Sequence, residues 1–140
     1  MKMSITTLHR HITLEHMQRF MGEAKDSIHS DPELAKSWGI GGAVVQGGHL
    51  VALINELMLA NYGAGYLAGG DISVSFLKTV RPGESVAVHA VPAAEQEPAG
   101  SDGHPRIRCD VWIENNAGEK VVSGVASAFS LISIAPDKCS

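Results

Sequence analysis

The chain has 140 residues, 44% apolar and 19% charged, which is a globular composition and not that of a disordered chain; the length suits one core, so a single domain over 1–140 is expected. A formal charge of -4 and the scatter of its 11 Lys and Arg exclude general attraction to phosphate backbones, so nucleic acid is not an expected partner. No apolar run reaches the roughly 20 residues that cross a bilayer, the start MKMSITTLHRHI has no signal-peptide core, and Cys109 and Cys139 show neither metal-ligand nor disulfide spacing, so a cytoplasmic protein with reduced thiols and no membrane partner is expected.

Residues 4–11 predict a short strand, and Thr13 then caps an amphipathic helix running to about Ala24, with Leu14, Met17 and Phe20 or Met21 on one stripe. The stretch AKDSIHSDPELAKSWGI follows, in which ELAKSW reads as a short helix. After the glycine-rich GIGGAVVQGG, a segment from about His49 to Tyr62 places Leu50, Val51, Leu53, Ile54, Leu57, Met58 and Leu59 around nearly its whole circumference. A helix apolar on all sides is normally buried. Beyond it the apolar period falls from 3.6 to 2. DISVSFLKTV puts Ile72, Val74 and Phe76 on one face, RPGE at 81–84 is a turn, and SVAVHAV alternates. A Pro-, Gly- and Glu-rich loop leads to RIRCDVWI, a hairpin turn at ENNAGEK, and a long last strand whose Gly124, Ala126 and Ala128 make a small-residue face fit for close helix approach. The expected fold class is α+β: about four strands in an antiparallel meander wrapped around one long buried helix.

Several residues suggest chemistry and have plainer readings. Asp31 precedes Pro32, the favoured first helical residue, so either Asp31 or Ser30 caps the helix, with Glu33 completing a capping box in the second case. HRH at 9–11 sets two imidazoles on one strand face without a third ligand. GIGG and GAGYLAGG lack the strand-glycines-helix context of a nucleotide loop and read as turns or close-packing sites. Arg81 reads as a turn residue rather than a phosphate contact, and Trp38 and Trp112 as packing residues. By spacing alone, His29 is a hydrogen-bonded junction histidine.

Ile28, His29, Ser30, Asp31, Pro32 and Glu33, then Ala35 and Gly39, then Val44, Val45, Gln46 and Gly47, and finally DISVSFLKTVRPGE at 71–84, together resemble the MaoC-like dehydratases of the hotdog fold, a family that includes the (R)-specific enoyl-CoA hydratases. The resemblance runs over most of residues 12 to 134. It implies a hotdog domain that dimerises by joining sheets edge to edge, with no metal or redox cofactor. It also implies a hydratase or dehydratase acting on a 2-enoyl or 3-hydroxyacyl thioester of CoA or a carrier protein. His29 and Asp26 take the catalytic acid/base roles in this reading. Two departures stand out: in an ungapped register the family's catalytic Asp falls on Ala24, while a two-residue deletion brings Asp26 to that role, and Gln46 stands where many members have His.

Such a reaction needs groups that move the α-proton and the water, and donors on the enolate-like oxygen. The first amides of the buried helix, at Gly47 and Gly48 beside Gln46, lack intrahelical acceptors and would serve as those donors. The alternatives are a tailoring cyclase or isomerase of secondary metabolism that reuses the pocket on a small molecule, or a non-catalytic hotdog binding subunit.

Overall fold

Alternation along three long strands decides the architecture. In the computed structural model, which describes residues 5–22, 27–94, 96 and 105–130, the elements are β1 (Leu8–His11), α1 (Leu14–Met21), α2 (Pro32–Ser37), α3 (Gly47–Tyr62), α4 (Ala64–Gly69), β2 (Asp71–Phe76), β3 (Ser85–Pro92), β4 (Arg106–Glu114) and β5 (Lys120–Phe129). Val86, Val88 and Ala90 of β3, Cys109, Val111 and Ile113 of β4, and Val122, Ala126 and Ala128 of β5 are all buried on one sheet face. Against that face lie Leu50, Leu53, Ile54, Leu57 and Met58 of α3. This is the hotdog arrangement, and each large side chain buried in it contributes about 1.5–3 kcal/mol.

The sheet is antiparallel throughout, in the order β1-β3-β4-β5-β2. Among the described residues it has five strands, and it departs from the expected meander: only β3, β4 and β5 follow one another, while β2 crosses to the far edge and pairs with β5. Between β2 and β3 the chain spends residues 77–84 on segments that shape the site. A bulge opposite Ile113 and Glu114 leaves Val121 as the extra residue, and its carbonyl accepts the amides of Leu77 and Lys78.

Three expectations are corrected. GAGYLAGG is α4, a helix and not a turn, seated so that a Cβ at Gly69 would lie 2.5 Å from the Phe129 ring. On the small-residue face of β5, against which α3 and α4 pack, Gly124 also makes room for β2, since a Cβ there would lie 2.0 Å from the Ser73 carbonyl oxygen. Trp38 is 66% exposed and packs no core. The central helix is also open on one side, where Val51 is half-buried and Leu59 is 37% exposed.

Helix starts follow the sequence closely. Thr13 caps α1 by accepting from the His16 amide, and the His16 ring accepts from the Thr13 amide in return, so this histidine completes a capping box. α1 ends at Gly22, shorter than expected. No helix among the described residues is long and apolar enough to cross a membrane.

Candidate functional site

Asp31 is the cap of α2: its carboxylate accepts from the amides of Glu33 and Leu34, at 3.0 and 3.2 Å. That fixes the turn before it, in which the Ser27 carbonyl accepts from the amides of Ser30 and Asp31 and the Ser27 hydroxyl accepts from the His29 amide. The imidazole of His29 is thereby turned inward. Its Nδ1–H donates to the Val44 carbonyl at 2.8 Å, and the Val44 amide donates back to the Ile28 carbonyl at 3.1 Å. With the proton held on Nδ1, neutral His29 presents Nε2 as an acceptor.

His29 and Gly47, the first residue of α3, line one groove of about 570 Å³. Val44, Val45, Leu50 and Val80 supply its apolar wall, and Phe76, Leu77, Lys78 and Thr79 supply its rim. No carboxylate lines it among the described residues. Gln46 is the N-cap of α3 but makes no side-chain cap bond, and the α3 residues that follow have their first intrahelical bonds at His49 and Leu50, both to the Gln46 carbonyl. The Gly47 and Gly48 amides, earlier in the helix, have no such acceptor. Gly47 belongs to the groove. Gly48 does not: it lies exposed beneath Phe20. Asp26, like Ala24, His104 and Cys139, lies outside the described residues.

Phe76 rests on Gly47 so closely that an added Cβ would sit 2.8 Å from its Cζ. The ring is half exposed and free to yield, so Gly47→Ala should leave the unfolding midpoint nearly unchanged yet push Phe76 into the groove. A fall in turnover of about tenfold is the expected outcome.

Next to Gly48, Phe20 stacks on His49 with centroids 4.8 Å apart. Burial, reinforced by the nearby His16, holds the His49 pKa below its ordinary 6.5. Arg10, His16 and Arg19 share its groove, the two arginines already paired with Glu56 and Glu15. Because the folded state resists the imidazolium, the unfolded chain binds more protons just below pH 6.5. The stability that neutral His49 contributes is full above that pH and is lost as pH falls towards the lowered folded value. Denaturant titrations at pH 7 and pH 5.5 should show this loss in the wild type and a smaller one in His49→Leu.

Other titratable side chains have packing or hydrogen-bond partners. His11 Nδ1 bonds the Ser85 hydroxyl, and among the described residues no group of three or more His, Cys, Asp or Glu side chains could hold a metal ion. His89 stacks on Trp112. Cys109 is buried beside the Tyr62 hydroxyl, and burial pushes its thiol pKa up. Arg81 is more than a turn residue, since its guanidinium donates to three loop carbonyls. Sequence reading missed this, along with Val44 as the acceptor for His29 and Phe76 as a rim residue. Backbone acceptors leave no mark in side-chain patterns.

A family model described as "MaoC like domain" matches residues 2–101. No curated protein sequence matches the chain. Among solved structures, the chain is similar to an (R)-hydratase from A. caviae involved in PHA biosynthesis, at 21% identity and TM-score 0.71, covering 89% of this chain and 92% of that one. An R-hydratase from Pseudomonas aeruginosa gives 21% identity and TM-score 0.72 over 89% and 78% of the two chains. The HadBC complex from Mycobacterium tuberculosis, a 3R-hydroxyacyl-ACP dehydratase, gives 14% identity and TM-score 0.60 over 91% and 98%.

Proposed function

We propose, from the premise that this chain belongs to the MaoC-like domain family, that it adds water to a 2-enoyl thioester, or removes it from a 3-hydroxyacyl thioester, carried by CoA or an acyl carrier protein. One observation carries the reading: an imidazole whose Nδ1–H is anchored on Val44 shares an apolar groove with the first residue of the buried helix. The acyl chain lies along Val45, Leu50 and Val80, and the thioester oxygen accepts from the Gly47 amide at the positive end of α3. Gln46, the N-cap of α3, immediately precedes that oxygen site.

In the hydration direction His29 Nε2 takes a proton from water as the hydroxyl oxygen bonds to C3. The C2–C3 π electrons move towards the thioester, and the resulting enolate oxygen is held by the helix amide. A proton delivered to C2 completes the 3-hydroxyacyl product. We assign the Asp26 carboxyl, protonated at the start, to that delivery, and His29 then passes the water proton to the resulting Asp26 carboxylate, which restores both groups.

A second copy completes the assembly. Among the described residues β2 is an edge strand, and the apolar Leu67, Phe76 and Leu77 are exposed, at 78%, 54% and 53%. An open strand edge beside exposed apolar side chains favours pairing with a like edge, so we assign a homodimer.

Loss of crotonyl-CoA absorbance, followed with the wild type and Asp26→Asn, tests the reading. Turnover by the wild type and its loss in Asp26→Asn are expected. A wild type that binds the thioester without converting it would favour the non-catalytic subunit instead.

A further inference from the structure

Val44 is held from both sides by two consecutive residues. Immediately after it, the Val45 amide donates to the Val80 carbonyl at 2.7 Å. Immediately before it, Arg81 Nη1 donates to the carbonyls of Gly42 and Ala43, at 3.0 and 3.5 Å, and Nη2 donates to that of Ile40 at 2.6 Å. The loop is shaped for this contact. Gly39 and Gly41 have φ of 79 and 85, and Gly42 has φ of 153. A Cβ on Gly42 would lie 3.5 Å from Arg81 Nη1, so the guanidinium lies directly against bare backbone. Arg81 is in turn fixed at its own amide, which donates to Glu84 Oε2 at 2.6 Å.

We propose that Arg81 is a positioning residue for the active site, a latch that sets the Val44 carbonyl and through it the tautomer and aim of His29. It does not touch the substrate. A guanidinium offers several N–H donors in one rigid plane and can serve three carbonyls together, whereas the Lys ammonium is a single point on a flexible stem. When the latch is lost, residues 40–44 relax, the Val44 oxygen moves, and the His29 proton is free to sit on Nε2. That tautomer has no acceptor facing the groove. The inference rests on reading His29 as the acid/base group, but its first readout does not require that reading.

The test uses the full chain labelled with ¹⁵N-histidine, as wild type, Arg81→Lys and Arg81→Met. Long-range ¹⁵N–¹H spectra at a pH where the ring is neutral report which nitrogen of His29 carries the proton. A single Nδ1–H form is expected in the wild type, and a mixture in Arg81→Met. In parallel, kcat on crotonyl-CoA should fall about ten- to a hundredfold with KM little changed, and Arg81→Lys should fall between the two. Circular dichroism establishes that each variant is folded, and Arg81→Lys supplies the tautomer reading should Arg81→Met fail to fold. A folded variant whose His29 tautomer matches the wild type overturns the latch, whatever its kcat. A mixed tautomer with unaltered kcat sustains the latch and overturns His29 as the proton carrier.

Discussion

Replacing His29 by Gln lowers hydration of an enoyl thioester by about 10²- to 10⁴-fold, the span that one positioned acid/base group contributes, and leaves the fold in place. Gln is the informative substitution because its amide can still donate to the Val44 carbonyl, the partner that anchors the native ring at 2.8 Å. It cannot exchange protons at neutral pH. His29→Ala loses both functions, so it should also unfold earlier, by the roughly 1 kcal/mol that an intramolecular hydrogen bond contributes. Comparing kcat and the denaturation midpoint for the two variants separates chemistry from anchoring. Turnover in His29→Gln within severalfold of the wild type would remove His29 from the mechanism.

Ile54→Ala should give the largest loss of stability. Ile54 is 0% exposed at the centre of α3, where the helix faces the inner side of the sheet, and its removal leaves a cavity in the middle of the core. Such truncations cost about 2–5 kcal/mol against a total of about 5–15 kcal/mol for a domain. Urea titration should show a lower midpoint with an unchanged slope. Leu59→Ala, on the open side of the same helix, removes a side chain that is 37% exposed and should cost much less. Similar losses at the two positions would contradict the one-sided burial of α3.

The inner sheet face was legible because Val86, Val88 and Ala90, and Cys109, Val111 and Ile113, repeat with period 2 against a core on one side. Strand order was not. RPGE closes a turn in which the Glu84 amide donates to the Arg81 carbonyl, which reads locally as a hairpin, yet β2 pairs with β5 across the sheet. Nothing local encodes that choice. α4 was hidden by its composition, since Gly63, Gly65, Gly69 and Gly70 depress helix propensity while the contact of Gly69 with Phe129 requires the missing side chain. Asp31 was legible as a cap because the Asp-Pro pair satisfies two local rules at once.

The site divides in the same way. Resemblance to a motif marked His29, and the structure places it on the groove with Gly47. The Gly47 and Gly48 pair looked equivalent in sequence, but a single residue step around the helix separates a groove position from an exposed one. Arg81 sat in a turn motif that gave no hint of its reach, because what it binds is the carbonyl row of a glycine loop 38 to 41 residues away in sequence.

The most direct measurement is a titration of the ¹⁵N-labelled chain with butyryl-CoA, a saturated thioester that cannot be hydrated, watching the His29 ring nitrogens and the Gly47 amide together. The account predicts that both respond along one binding curve, because a single thioester lies between them. A Gly47 amide that moves while the His29 ring stays silent, or the reverse, would show that the two do not share a substrate, and the proposed chemistry would fall with that result.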